Sequence, residues 1–130
     1  MKASLGMVVG VVLLGALGSL CRFGLSAFIQ QRVGLGFPWG TFAVNVLGSF
    51  LIGGIMGVFA ARGGEPVALR VALTVGFMGG FTTMSSFAFE TVTLIEGRAY
   101  VPAAANIVGS VVVCLLGCAL GLAAGRSIGR

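Results

Sequence analysis

The sequence predicts an all-α integral membrane protein of four transmembrane helices, and three observations carry that prediction. The chain has 130 residues, 58% of them hydrophobic and only 8% charged, with a mean hydropathy of +1.13. A soluble domain of this size needs a charged surface that such a composition cannot supply, so its solvent is lipid. Four runs, Leu5 to Cys21, Phe42 to Ala61, Val67 to Phe81 and Val101 to Ala124, are nearly free of charge. Short connectors, "QQRVGLGFP", "ARGGEP" and "EGRAY", separate them, which makes neighbouring helices antiparallel within one domain covering residues 1–130.

The elements follow in order. Segment one spans about residues 5–29. Lys2 ahead of an apolar run is a feature of cleaved leaders, but this run is long and no small-residue cleavage site follows it. Segment two spans about 39–61, with Pro38 at the helix start. Segment three spans about 67–95 and would reach roughly 43 Å as one helix, against a hydrocarbon core of about 30 Å. Its centre reads "GFMGGFTTMSSF", residues 76–87. A break at about 78–83, near Gly79-Gly80, is expected. Unpaired backbone at that depth is tolerated only beside protein or a polar cavity, where transporters and channels hold ions. The competing reading makes these glycines packing positions, as the frames Gly53/Gly57 and Gly117/Gly121/Gly125 suggest for their own helices. Segment four spans about 101–124.

The composition also excludes functions. The net charge is +5, yet the basic residues (Lys2, Arg22, Arg32, Arg62, Arg70, Arg98, Arg126, Arg130) are scattered singly, which is not a nucleic-acid surface. With the N-terminus inside, five of them fall on the cytoplasmic side and three outside, a weak bias. Cys21, Cys114 and Cys118 lie within apolar spans, suggesting neither disulfides nor zinc. The chain has no His and no Asp, so metal-ligand clusters and a Ser-His-Asp hydrolase are excluded, and no enzyme is expected.

Two helices carry narrow polar stripes. Segment two places Thr41, Asn45 and Ser49 at i, i+4 and i+8, and segment four places Asn106, Ser110 and Cys114 likewise. An unpaired amide in hydrocarbon costs about 4–8 kcal/mol on alkane scales, so both asparagines face protein or water. Interhelical glue accounts for single hydroxyls, whereas two aligned stripes beside a broken helix favour a solvated path. Of the three acids, Glu90 alone falls well inside a predicted span; Glu65 lies in a loop and Glu96 at a segment end. Neutral donors without acidic rings suit a small anion. Met84 and Phe87 stand three apart just after the break, and a phenylalanine ring edge is electropositive. Arg22 either snorkels to the headgroups or serves a pore mouth.

The stretches "GALGSLCRF", "PWGTFAVNVLGSFLIG", "GFMGGFTTMSSFAFET" and "IVGSVVVCLLG" resemble the Fluc (CrcB) family of bacterial fluoride channels, over nearly the whole chain. The resemblance implies a passive fluoride channel of the bacterial plasma (inner) membrane that expels cytoplasmic fluoride. It implies an antiparallel, dual-topology homodimer with two pathways, and a structural Na⁺ at the interface held by backbone carbonyls of Gly79 and Thr82. It assigns the pathway to Asn45, Phe87, Ser110, Thr41, Cys114, Thr83, Ser86, Glu90 and Arg22. Met84 stands where the family's first phenylalanine falls, so half of a ring-edge pair is replaced by a thioether. Two rivals remain. One is a small dual-topology multidrug or cation exporter, which the absence of acids from residues 1–64 opposes; the other is a non-transporting membrane scaffold.

Overall fold

The computed structural model describes residues 4–130, so the Lys2 counted in the charge asymmetry lies outside the described residues. Its helices are α1 (Leu5–Val33), α2 (Trp39–Arg62), α3 (residues 67–81), α4 (Met84–Glu96) and α5 (Tyr100–Gly129). Four stretches, with α3 and α4 taken together, are long and apolar enough to cross a membrane.

The helices outrun their apolar stretches. α1 continues to Val33 rather than Ile29, because Gln30, Gln31 and Arg32 are sound helix formers and the first true stop is Gly34 at φ 117°. α5 likewise runs from Tyr100 to Gly129, past the expected end at Ala124. Ser4 caps α1 by accepting from the Met7 N–H at 3.3 Å. Gln30 staples the α1–α2 loop: its amide donates to Gly34 and Phe37 carbonyls, and its oxygen accepts from the Gly40 N–H at 3.1 Å. The loop thereby satisfies its own backbone near the membrane surface.

The third segment is interrupted within the expected window of about 78–83, with two details that the sequence did not give. Ala72–Met78 is π-helical between the α-turns of Val67–Val71 and Gly79–Phe81. The glycine pair is not where the helix breaks: Gly79 is helical at φ −63°, ψ −36°, and the chain turns extended only at Thr82 (φ −83°, ψ 158°) and Thr83 (φ −149°, ψ 109°). The physical reason is packing. A Cβ on Gly80 would strike the Gly15 carbonyl, and one on Gly18 would strike that of Phe77 and lie 3.0 Å from Phe81 N. These glycines let α1 and α3 touch backbone to backbone.

α2 and α5 form the other close pair, as their glycine frames suggest. A Cβ on Gly53 or Gly57 would meet the α5 backbone at Cys118 or Leu122, and one on Gly121 or Gly125 would meet α2 at Phe50 or Gly54. Between the pairs, Val44, Met78 and Phe81 form a small fully buried core, with Phe77 stacked on Phe81 at 5.9 Å. At the helix ends, Arg32 lies 4.9 Å over Phe28 and Arg70 lies 5.6 Å over Phe59. Both are cation–π contacts between neighbouring apolar and basic side chains.

Candidate functional site

Asn45 makes the break at Thr82–Thr83 possible. Its Oδ1 accepts from the Thr83 N–H at 2.8 Å and its Nδ2 donates to the Thr83 carbonyl at 3.0 Å. One carboxamide thus satisfies both peptide groups of an extended residue, as a neighbouring strand would. Thr83 then opens α4: its hydroxyl accepts from the Ser86 N–H at 3.1 Å and donates to Ser86 Oγ at 3.0 Å, while Ser85 Oγ lies 3.2 Å away. The four hydroxyls of "TTMSS" are therefore largely the cap and closure of an interrupted helix.

The break parts the carbonyls of residues 79–82 from their helical partners, and Ser19 Oγ reaches that of Gly80 at 3.5 Å. The helical partner of Gly79 O is Thr83 N–H, which goes to Asn45 instead. The partner of Thr82 O is Ser86 N–H, which the Thr83 side chain takes. Both residues line a cavity of about 510 Å³ on the flank of the molecule.

That cavity collects most of the expected pathway: Asn45, Thr83, Met84, Phe87, Ser110 and Cys114, joined by Ser49. Met84, at 74% exposure, stands at its open side. A second cavity of about 390 Å³ lies across the break and holds Arg22, Thr41, Thr83, Ser86 and Glu90. Here Thr41 donates to Glu90 Oε1 at 2.7 Å, while Glu90 Oε2 is buried with no partner. Arg22 lines this chamber. The expected residues thus divide into two chambers, and Thr83 lines both.

Sequence reasoning missed the inner side of α4 and α5. Asn106 was placed on a stripe facing the path, but it is 1% exposed and bonds within the protein: its Nδ2 donates to Thr91 Oγ1 at 2.9 Å, and its Oδ1 accepts from Ser110 Oγ at 3.2 Å. Thr91 in turn donates to the Phe87 carbonyl at 2.6 Å. The signal for Thr91 was available, since it sits one turn beyond Phe87 within an apolar helix, as a polar group needing a partner.

A small helical bundle with two chambers that meet beside an interrupted spanning segment has the build of a multi-pass membrane transport protein. The family model described as "CrcB-like protein, Camphor Resistance (CrcB)" matches residues 9–122. A protein of Citrifermentans bemidjiense named "Fluoride-specific ion channel FluC" is 51% identical over 108 residues, covering 83% of this chain and 87% of its own. One of the same name from Sorangium cellulosum is 52% identical, covering 78% and 80%. A third, from Geobacter metallireducens, is 47% identical, covering 83% and 87%. The chain belongs to the CrcB family.

Proposed function

We propose that this protein is a passive, fluoride-selective channel that lets cytoplasmic fluoride leave down its gradient. The observation that carries the reading is the pair of chambers that share Thr83, the larger offering the neutral donors Asn45 and Ser110 on an otherwise apolar wall, in a chain whose relatives bear the name of fluoride channels.

Fluoride is small and holds its water tightly, so a route must supply donors at nearly every step and still release the ion. In the larger chamber Asn45 spends one amide hydrogen on Thr83 and keeps the second for the cavity. Ser110 and the edge of Phe87 line the same space, with Cys114 and Thr83 beside them. Across the break, Ser86 accepts from Thr83 and retains its own proton, facing Arg22 and Glu90. Thr41 occupies one carboxylate oxygen of Glu90 and so fixes how that group meets the route.

The reading includes an antiparallel homodimer. What supports it is the open flank at Met84 and the released carbonyls, which a second copy would cover. Gly79 and Thr82 would hold a structural Na⁺ through those oxygens, which are hard donors suited to it. Two oxygens from one chain are too few for such a cation, so an inverted partner would supply the rest. When bound, the ion neutralises carbonyl dipoles that the break leaves without N–H partners.

The deciding experiment is fluoride-electrode efflux from proteoliposomes, with chloride efflux alongside. Fluoride release with no chloride release supports the reading. Proton-coupled uptake of organic cations would favour the exporter, and no flux of any kind would favour the scaffold.

A further inference from the structure

The hydrogen bonds between α4 and α5 run in one direction. Thr91 has a single hydroxyl proton and gives it to the Phe87 carbonyl, so it can only accept from Asn106. That fixes the Asn106 carboxamide with its oxygen toward Ser110, and Ser110 gives its own single proton to that oxygen. Ser110 and Phe87, the two ends of this relay, line the same cavity.

We propose that Asn106 and Thr91 are positioning residues that weaken the grip of Ser110 on a passing anion, by holding its hydroxyl proton until the anion takes it. This rests on the fluoride-channel reading. Asn106 is 1% exposed, so no water replaces Ser110 when its proton swings into the cavity. The Asn106 oxygen is then left unpaired in a dry site, and that penalty is subtracted from the anion's binding. The step therefore binds less tightly than a free hydroxyl would, which favours throughput over retention. Asn45, in the same cavity, faces no such competition, because it keeps a free amide hydrogen after its bonds to Thr83 are made.

The test compares initial fluoride efflux rates through wild type, Asn106→Leu, Ser110→Ala and the double variant, over a range of fluoride concentrations. Asn106→Leu keeps the size and removes the competing oxygen. Its half-saturating concentration is expected to fall roughly three- to tenfold, with a lower maximal rate, because a neutral hydrogen bond is worth about that factor. In the Ser110→Ala background the same substitution is expected to change the half-saturating concentration little. Equal shifts in both backgrounds overturn the proposal. If Asn106→Leu does not purify as a single species, Thr91→Val replaces it. That change lets the Asn106 amide turn and release the Ser110 proton, lowering half-saturation in the same direction, while Thr91→Ser restores the wild-type value. Thr91→Ser behaving like Thr91→Val also overturns the proposal. Wild-type protein that passes no fluoride at all refutes the channel reading itself, and the relay's role with it.

Discussion

Replacing Asn45 tests the break most directly. In Asn45→Ala, the N–H and carbonyl of Thr83 both lose their partners, at 2.8 and 3.0 Å in the intact protein. Thr83 is only 7% exposed, so its peptide groups rely on that amide rather than on bulk water. Each buried, unsatisfied peptide group costs about 1–3 kcal/mol, which puts the loss at about 2–6 kcal/mol. Asn45→Asp keeps an acceptor for the Thr83 N–H but sets a carboxylate oxygen against the Thr83 carbonyl. One carbonyl is then orphaned, at about 1–3 kcal/mol, and the carboxylate set against it adds to that cost; fluoride flux is expected to be abolished because the carboxylate also repels the anion. Unfolding by SDS titration in mixed micelles gives the stabilities, and electrode efflux gives the flux. If Asn45→Ala unfolds within a few tenths of a kcal/mol of wild type, Asn45 does not hold the break, and the account of why the chain interrupts there is wrong.

Other predictions follow from neighbouring contacts. Met84→Phe is expected to conduct at or above the wild-type rate, since it adds an aromatic edge at the cavity mouth; a dead Met84→Phe channel would refute a ring-edge role at this position. Thr41→Val is expected to lower fluoride efflux several-fold by freeing the Glu90 carboxylate from its 2.7 Å bond, and unchanged efflux would remove that pair from the pathway. Gly80→Leu is expected to prevent assembly, because its side chain has nowhere to go but into the Gly15 backbone; size-exclusion chromatography of a normal, well-folded species would refute that packing. Protein purified and reconstituted with N-methylglucamine in place of Na⁺ is expected to lose activity and regain it on Na⁺ addition, whereas full activity throughout would leave the carbonyls of Gly79 and Thr82 without the proposed ion.

How much of this was legible in the sequence varied with the kind of signal. Four spans were readable because a run of apolar residues is a one-dimensional property that lipid enforces directly. The ends of α1 and α5 were less so, because helices continue through polar residues until a stop such as Gly34. The break was legible as a region but attributed to the wrong residues. Gly79-Gly80 attracts attention as a helix breaker, yet its lack of Cβ is used against α1, and the interruption depends on Asn45 some forty positions earlier in the chain, which no local pattern reveals. Among the site residues, Asn45, Ser110 and Phe87 were expected together and the cavity brings them together, whereas Thr41, Ser86, Glu90 and Arg22 belong to a separate chamber. Helical spacing puts residues on one face but does not say what that face meets. For that reason Asn106, on the same stripe as Ser110, turned out to be an interior group.

The π-helical run at Ala72–Met78 has a consequence for phase. Its wider i→i+5 turns advance the chain less about the axis per residue than α-turns do. Relaxing all seven residues to α geometry, with none deleted, would rotate everything downstream by on the order of 100°. Gly80 would swing off Gly15, and the freed carbonyls at 79 and 82 would aim elsewhere. The run works as an angular spacer written into the main chain, and no side-chain replacement further along can restore the aim it sets.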